Sequence, residues 1–189
     1  IHGSCGDYRY NDHSITMKWG QDANRVRVFW MYFDEECGDK LPVSRAELIP
    51  WVGIDPATQT CGPVEQCFDG DVDGTDAGCS LPTDNVCVTG PASDPALEID
   101  LGVVRWLKVV KIYNRINYGQ GALGFHKIYA GLTPNPTTLC SSATAPADAV
   151  VQVHACIAKA RYVRIVLPGA NRHIYFREVE LFGCPHCDC

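Results

Sequence analysis

The chain has 189 residues, eleven of them cysteines, and a formal net charge of −6 at pH 7. This length suffices for one sizeable core or two small ones. The acidic balance argues against a nucleic-acid partner, and no run of about 18 apolar residues exists that would insert into a membrane. Cysteines spread along the whole chain favour an extracellular, oxidising location over a cytosolic zinc protein, because zinc sites need clustered cysteine pairs.

The first 65 residues contain strand candidates but no recognisable motif. The run RVRVFWMYF at residues 25–33 is dense in β-branched and aromatic residues, which favours a strand. The run ELIPWVGI at residues 47–54 is interrupted by Pro50 and suits an edge strand or a crossover. We interpret residues 1–65 as a disulfide-rich N-terminal extension that either adds strands to the main domain or forms a small cap.

Residues 55–96 are predicted to form a long ordered loop region held by disulfides. They are rich in Pro, Gly, Asp, Thr and Cys and show almost no apolar periodicity. Within them, acidic residues such as Asp69 and Asp71 alternate with glycines in CFDGDVDGTDAGC. Hard oxygen ligands on a backbone that turns sharply suit calcium, and a solvated acidic turn is the alternative.

The remainder of the chain predicts a series of short strands. The closing segment contains two alternating runs around the turn residues Pro168 and Gly169. Residues 131–148 are polar and predict a surface connection. Many short strands with turn signals between them predict an all-β sandwich or jelly roll. The other strands are predicted at 97–101, 105–115, 124–130 and 149–154.

Three segments in one collinear order resemble a known family. ARYVRIVLPGANRHIYFREVELFG at 160–183 resembles the closing strands of discoidin-like β-sandwich domains, which include the F-type lectins (fucolectins). ALEIDLGVVRWLKVVKIYNR at 96–115 is similar to a long strand of these domains, and the acidic loop at 67–79 looks like their calcium loop. The resemblance covers roughly residues 66–183 and implies a discoidin-like jelly-roll sandwich, followed by a Cys-rich tail at 184–189.

The same resemblance implies a structural calcium ion and a disulfide. Asp69 and Asp71 match the loop acids, and Glu178 matches the glutamate of the closing strand. Ser80 or the Cys79 carbonyl takes the place of the family's serine, although Gly-Cys-Ser here replaces the usual Gly-Ser-Cys. The implied disulfide joins two cysteines whose positions match a bridge common in F-type lectins. These are Cys140 and Cys156.

The sugar-binding motif of the family, R-x-D-x4-R/K, is degenerate in this chain. Arg115 fits its first arginine, Asn117 stands in place of the aspartate, and Ala122 stands in place of the second basic residue. A sugar site needs paired hydrogen bonds at fixed angles and an apolar face, so these changes predict little fucose affinity. Arg115, Asn117 and Tyr118 remain the candidate ligand-binding residues, with a structural or rim role for Arg115 as the alternative.

The tail contains Cys-Pro-His-Cys at residues 184–187, which matches the tetrad of thiol oxidoreductases. Since two residues follow Cys187 in this sequence, we do not expect the helix that such a site needs. Disulfide anchoring of the tail is favoured over metal capture, and an odd cysteine count leaves at least one cysteine without a partner inside the chain. No motif of serine hydrolases, P-loop enzymes or zinc proteases occurs, so the chain is not expected to be an enzyme.

Two functions from different classes follow from these observations. The first is a secreted, non-enzymatic, calcium-stabilised binding or adhesion module that recognises a glycan, a cell-surface partner or another extracellular protein. The alternative is a structural subunit of an extracellular filament, wall or matrix, which binds copies of itself with help from disulfides. The resemblance favours recognition, whereas the degenerate sugar motif and the odd cysteine favour the structural role.

Overall fold

The computed structural model describes residues 39–49, 64–72, 86–116 and 120–184. Their only helical parts are two 3-10 turns, at Val64–Cys67 and Gln120–Ala122. No helix in these segments is long and apolar enough to cross a membrane. The prediction of an all-β chain is therefore confirmed. The strands are β1 Asp39–Lys40, β2 Arg45–Ile49, β3 Cys87–Val88, β4 Ala96–Asn114, β5 Phe125–Gly131, β6 Thr138–Thr144, β7 Val151–Val166 and β8 Tyr175–Cys184.

Two long antiparallel strands, β4 and β7, run beside each other through most of the structure. Their register shifts between Asp100 and Arg105, where Gly102 has a φ of 79°. A side chain at Gly102 would meet the Cβ of Ser44 at 3.0 Å, so both the backbone angle and the space favour glycine here. The shift marks the point at which β4 exchanges one set of neighbouring strands for another.

The strand pairings fall into two groups, which form the two layers of the sandwich. In one layer, β2 pairs with the first part of β4, which pairs with the last part of β7, followed by β5 and β6. In the other layer, the first part of β7 pairs with the rest of β4, which pairs with β8; β1 and β3 pair with β8. Because β4 and β7 contribute to both layers, all eight strands belong to one hydrogen-bonded sheet, in which β2 and β3 branch from β4 and β8.

Apolar side chains from both layers meet in one core. In β4 the burial pattern alternates from Leu97 to Leu101, as expected for a strand with one face inside. Burying one such side chain contributes about 1.5–3 kcal/mol. Disulfides between Cys67 and Cys87 and between Cys140 and Cys156 join distant parts of the chain. The core includes Leu97, Ile99, Leu107, Ile112, Ile128, Val163, Ile165, Phe176 and Leu181.

The closing segment differs from the predicted pair of strands around a turn. The turn is present, with Gly169 at a φ of 118° and Asn171 at 56°. However, β7 and β8 do not pair with each other, because β4 lies between them. The turn therefore joins two strands that flank a third, which local alternation cannot reveal.

The predicted polar connection at 131–148 contains a further strand, β6. It lies at the edge of its layer, and most of its side chains are exposed or half-buried. Ser, Thr and Ala on an edge strand leave no clear apolar period, which explains the error.

Within the N-terminal 65 residues, β1 and β2 pair with β8 and β4. The domain boundary at residue 65 and the disulfide-rich character of the extension remain predictions. The strand predicted at 25–33 lies outside the described residues.

Candidate functional site

A buried carboxylate on β8, that of Glu178, organises one end of the second layer. Its side chain is 0% exposed. Its Oε2 accepts the backbone N–H of Gly70 at 3.2 Å, and its Oε1 accepts a hydrogen bond from Lys40 Nζ at 3.2 Å. Burial and the nearby charge of Asp69 raise the pKa of Glu178, while the bonds from Gly70 and Lys40 oppose this rise. The carboxylate thus fastens the acidic loop to the sandwich.

The acidic loop has a local geometry that its sequence explains. The Asp71 N–H donates to Asp69 Oδ1 at 2.8 Å, and Gly70 between them has a φ of 86°. This is the Asx-turn geometry that aspartate and glycine favour. The loop is fixed further by Arg177, which is 2% exposed and donates to the carbonyl oxygens of Val72 and Asn114.

Lys40 bridges two glutamates of β8. Its ammonium lies 3.2 Å from Glu178 Oε1 and 3.0 Å from Glu180 Oε1. The Tyr113 hydroxyl donates to Glu180 Oε2 at 2.8 Å. Burial and this bond raise the pKa of Tyr113 to about 12. Sequence reasoning missed Lys40, because it lies 138 residues from Glu178 in a part of the chain without a motif.

The chemistry of this cluster fits part of the predicted calcium site. Asp69 and Glu178 come close enough for the charge of one to affect the other, and carboxylate oxygens are the ligands that calcium prefers. The Lys40 ammonium already supplies one cationic partner to Glu178 Oε1. Among the residues that the structure describes, no three Asp, Glu, His or Cys side chains converge on one metal position. Ser80 lies outside the described residues, so the complete ligand set stays a prediction.

The predicted ligand-binding arginine is buried under an aromatic ring. Arg115 is 4% exposed, and its guanidinium lies 4.2 Å from the centroid of the Tyr175 ring. This cation–π contact gives the arginine a role in holding β8 against the loop that follows β4. Asn117 and Tyr118 lie outside the described residues. Arg115 therefore lies at the start of this loop, but its guanidinium already contacts the Tyr175 ring of the same chain.

A second arginine, Arg172, fastens the end of the same loop. Its Nη2 donates to the carbonyl oxygens of Ala122 at 3.0 Å and Leu123 at 3.1 Å, and its Nη1 donates to that of Pro168 at 3.1 Å. A side chain at Gly124 would meet Arg172 Nη2 at 3.2 Å. Thus Ala122 and Leu123 are attached to the turn between β7 and β8.

The chain is similar to known proteins in its structure but matches none of them by sequence. No family model and no curated protein matches the chain. The fucolectin from the serum of striped bass, Morone saxatilis, is similar at a TM-score of 0.62 and 20% identity, over 78% of this chain and 48% of that chain. The lectin domain of lectinolysin, complexed with Lewis B antigen, is similar at a TM-score of 0.59 and 21% identity, over 73% and 91%.

A third similar structure is a CBM32 module from Clostridium perfringens in complex with GalNAc-β-1,3-galactose. It matches at a TM-score of 0.59 and 14% identity, over 76% of this chain and 99% of that chain. The fold is that of the discoidin-like β-sandwiches. This confirms the architecture that the sequence resemblance implied, whereas identities this low carry no information on the ligand.

In this discoidin-like sandwich, two disulfides link described elements to each other. Cys140 on β6 is bonded to Cys156 on β7, the pair that the resemblance implied. The Cys67–Cys87 bridge joins the acidic loop to β3, which sequence reasoning did not anticipate. Cys184 is also disulfide-bonded and 1% exposed. The first thiol of the Cys-Pro-His-Cys tetrad is therefore engaged, while residues 185–189 lie outside the described part.

Proposed function

We propose that this protein is a secreted, non-enzymatic recognition module that binds a glycan through the loop at 115–124. The observation that supports this most strongly is the fold, which lectin and carbohydrate-binding modules share at TM-scores near 0.6. The disulfides support an extracellular location, since such bonds persist in oxidising compartments. Because one fold hosts many functions, the residues of the loop must decide the ligand.

The proposed contacts come from the loop, and the arginine behind them acts as a support. Arg115 is committed to the Tyr175 ring, so we assign it the positioning of the loop. Asn117 supplies an amide for hydrogen bonds, and Tyr118 supplies an aromatic face for a sugar ring. This set lacks the charged pair of the fucose motif. We therefore expect a ligand other than terminal fucose.

A glycan array with the purified chain tests this proposal. We expect binding to a defined group of glycans, lost in Tyr118→Ala and retained in Leu132→Ala. Leu132 is a suitable control because it is 56% exposed and follows the opposite end of β5 from the loop. Silence of the folded wild-type chain across a broad array would count against glycan recognition, and equal losses in both variants would count against this loop.

We further propose that a calcium ion stabilises the acidic loop, with Asp69, Asp71, Glu178 and Ser80 as ligands. The buried carboxylate of Glu178 and the nearby Asp69 support this, because a divalent cation would offset the cost of burying the charge of Glu178. Titration calorimetry should detect calcium binding, and EDTA should lower the melting temperature. Glu180→Gln should retain binding, whereas Glu178→Gln should weaken it. No heat of binding together with an unchanged melting temperature would exclude the ion.

A second candidate function, a self-associating structural subunit, is supported by the free edge of β7. Among the described residues, β4 is the single strand partner of β7 between Val151 and Ala160, because β5 pairs only with its residues 162–166. The outward side chains Val153 and Ile157 are 63% and 67% exposed. Residues 149–158 include no Asp, Glu, Lys, Arg or Pro, the residues that usually protect edge strands.

The proposed partner at this edge is a second copy of the chain. Antiparallel pairing about a two-fold axis at Ala155 would place Val153 opposite Ile157 of the second copy, without like charges in contact. Sedimentation velocity and electron microscopy, with and without reductant, test this. Val153→Lys should shift the chain towards monomers, whereas Val103→Lys, at a residue 52% exposed on β4, should not. A wild-type chain that stays monomeric at high concentration would reject the structural role.

A further inference from the structure

Two buried histidines from different strands contact each other inside the sandwich. His126 on β5 is 0% exposed and His154 on β7 is 4% exposed. Their Nε2 atoms lie 2.9 Å apart, and their rings are nearly perpendicular at 86°. We refer to His126 and His154 as the histidine pair. Neither the acidic loop nor the ring contact of Arg115 involves it.

The hydrogen bonds around the pair determine which nitrogen carries each proton. His126 Nδ1 lies 2.8 Å from the carbonyl oxygen of Gly124, which can only accept, so His126 carries its proton on Nδ1. Its Nε2 is then an acceptor, and His154 must donate from its own Nε2. His154 Nδ1 is left to accept from the Ser141 hydroxyl at 3.3 Å. Every polar atom of the two neutral rings thus has a suitable partner.

The surroundings of the pair favour its neutral form. Burial, followed by the charge of His126, lowers the pKa of His154 to about 4. Burial and the charge of Arg172 also lower the pKa of His126, although the bond to Gly124 opposes this. The neighbouring strands place Val110 of β4 opposite His154 and Ala143 of β6 opposite His126. Among the described residues, no carboxylate contributes to the pKa of either ring.

Protonation of the pair has a defined structural consequence. A first proton on His154 Nδ1 is tolerated if the Ser141 hydroxyl turns to accept it, but a charge is then buried. A proton on His126 Nε2 would place two N–H groups against each other across 2.9 Å, so the rings must separate. His126 Nδ1 and the Ala145 N–H both bond the Gly124 carbonyl oxygen. A separation that shifts the His126 ring removes one of these two bonds and thereby loosens residues 120–124.

We propose that the histidine pair is an acid-sensitive latch for residues 120–124, closed at neutral pH and opened as protons bind. As a device that regulates ligand binding, the latch rests on the proposed function, because the proposed ligand contacts directly precede these residues in the sequence. The ligand in that case would be released when the pH falls from neutral towards 5. Opening of the latch itself does not depend on any ligand.

Hydrogen exchange with mass spectrometry, on the full chain without a ligand, tests the latch. Protection of residues 120–126 is compared between pH 7 and pH 5 after correction for the intrinsic exchange rate. Below the ordinary histidine pKa, each pH unit should reduce protection about tenfold for each proton that the open form binds in excess. The double variant His126→Gln/His154→Gln should lose this dependence. His173→Gln should retain it, since the half-buried His173 lies on the turn beside Arg172.

A second measurement on the wild-type chain covers the case in which the double variant does not fold. Long-range nitrogen–proton NMR spectra at pH 7 should show the Nδ1–H form of His126 and the Nε2–H form of His154. Other tautomers, or the same loss of protection in wild type and double variant, would overturn the latch. A glycan array without binding, alongside pH-dependent loop protection, would overturn the proposed function and leave the latch intact.

Discussion

Two of the buried ionisable sites in the described part of the sandwich are stabilised in opposite ways. Glu178 is 0% exposed and lies beside the ammonium of Lys40, so one charge is balanced by another. The histidine pair is equally buried but contains two neutral rings that share a hydrogen bond. The attraction within an ion pair is kept until one partner changes its protonation state. The hydrogen bond between two neutral histidines is lost when both rings bind protons. The two sites therefore change the stability of the fold in different ways when the pH changes.

The sign of each response follows from the direction of its pKa shift. The pKa of Glu178 is raised, so the folded chain binds its proton more tightly than the unfolded chain, and this group stabilises the fold more as the pH falls. The pKa values of His126 and His154 are lowered, so the unfolded chain binds protons first. Their contribution is full above the ordinary histidine pKa and is lost as the pH falls below it.

Removal of the buried carboxylate should have the largest effect. Glu178→Ala leaves the Gly70 N–H and one side of Lys40 without an acceptor, which should lower the free energy of unfolding by about 3 kcal/mol. Urea unfolding at pH 7 measures this loss. Glu180→Ala is the matched control, because Glu180 lies on the same strand face but is 15% exposed. Equal losses of unfolding free energy in the two variants would mean that the burial of Glu178 does not determine its contribution to stability.

Acidification of the wild-type chain should have the next largest effect. Because the pKa of His154 falls to about 4, its protonation in the unfolded chain should lower the free energy of unfolding by about 2 kcal/mol between pH 6.5 and pH 5. Urea midpoints across this range measure the loss. The double variant His126→Gln/His154→Gln should be less stable at pH 7 but should lose most of this dependence on pH in the same window. If the free energy of unfolding of the wild-type chain did not change between pH 6.5 and pH 5, the histidine pair would not be the proposed acid-sensitive site.

Lys40→Met should have a smaller effect, with the opposite dependence on pH. The ammonium is 46% exposed, so solvent screening limits its contribution to about 1 kcal/mol at pH 7. Without it the pKa of Glu178 should rise further, and the loss should shrink as that carboxyl is protonated on acidification. Unfolding at pH 7 and pH 4.5 gives both values. Lys111→Met is the control, since Lys111 Nζ lies 4.0 Å from Glu180 Oε2 and over the Phe182 ring rather than beside Glu178. If Lys40→Met lowered the free energy of unfolding more at pH 4.5 than at pH 7, the contribution of Lys40 would not come from its ion pair with Glu178.

Much of the fold was predictable from the sequence, because its strongest signals are local. Alternation around Leu97–Leu101 and Val163–Leu167 marks strands with one buried face. The order of these runs then carried the resemblance to a discoidin-like sandwich. The position of β4 between β7 and β8 was not predictable, because strand order depends on pairings between residues far apart in sequence. Edge strand β6 was missed because its exposure leaves no apolar period.

The candidate sites were predictable only where a motif names a residue. Glu178 was found through its strand motif, and its burial agrees with a structural role. Lys40 was not found, since nothing in residues 1–65 indicates that β1 pairs with β8. His126 and His154 show no ligand spacing in sequence, and they meet only because β5 and β7 lie in one sandwich. Contacts between side chains on distant strands need the tertiary structure.

Tyr113→Phe should have the smallest effect and tests the rim of the charged cluster. Its hydroxyl donates to Glu180 at 2.8 Å, and this partly exposed bond should contribute about 0.5 kcal/mol at pH 7. Ultraviolet titration of the wild-type chain should show one of its eight tyrosines ionising at about pH 12, a transition absent from the variant. A loss as large as that of Glu178→Ala would instead locate the stabilisation at the rim. The main stabilisation of the charged cluster would then come from the Tyr113–Glu180 hydrogen bond and not from the ion pair of Glu178 and Lys40. The two buried sites would then differ in how exposed their stabilising contacts are, and not in whether those contacts are charged.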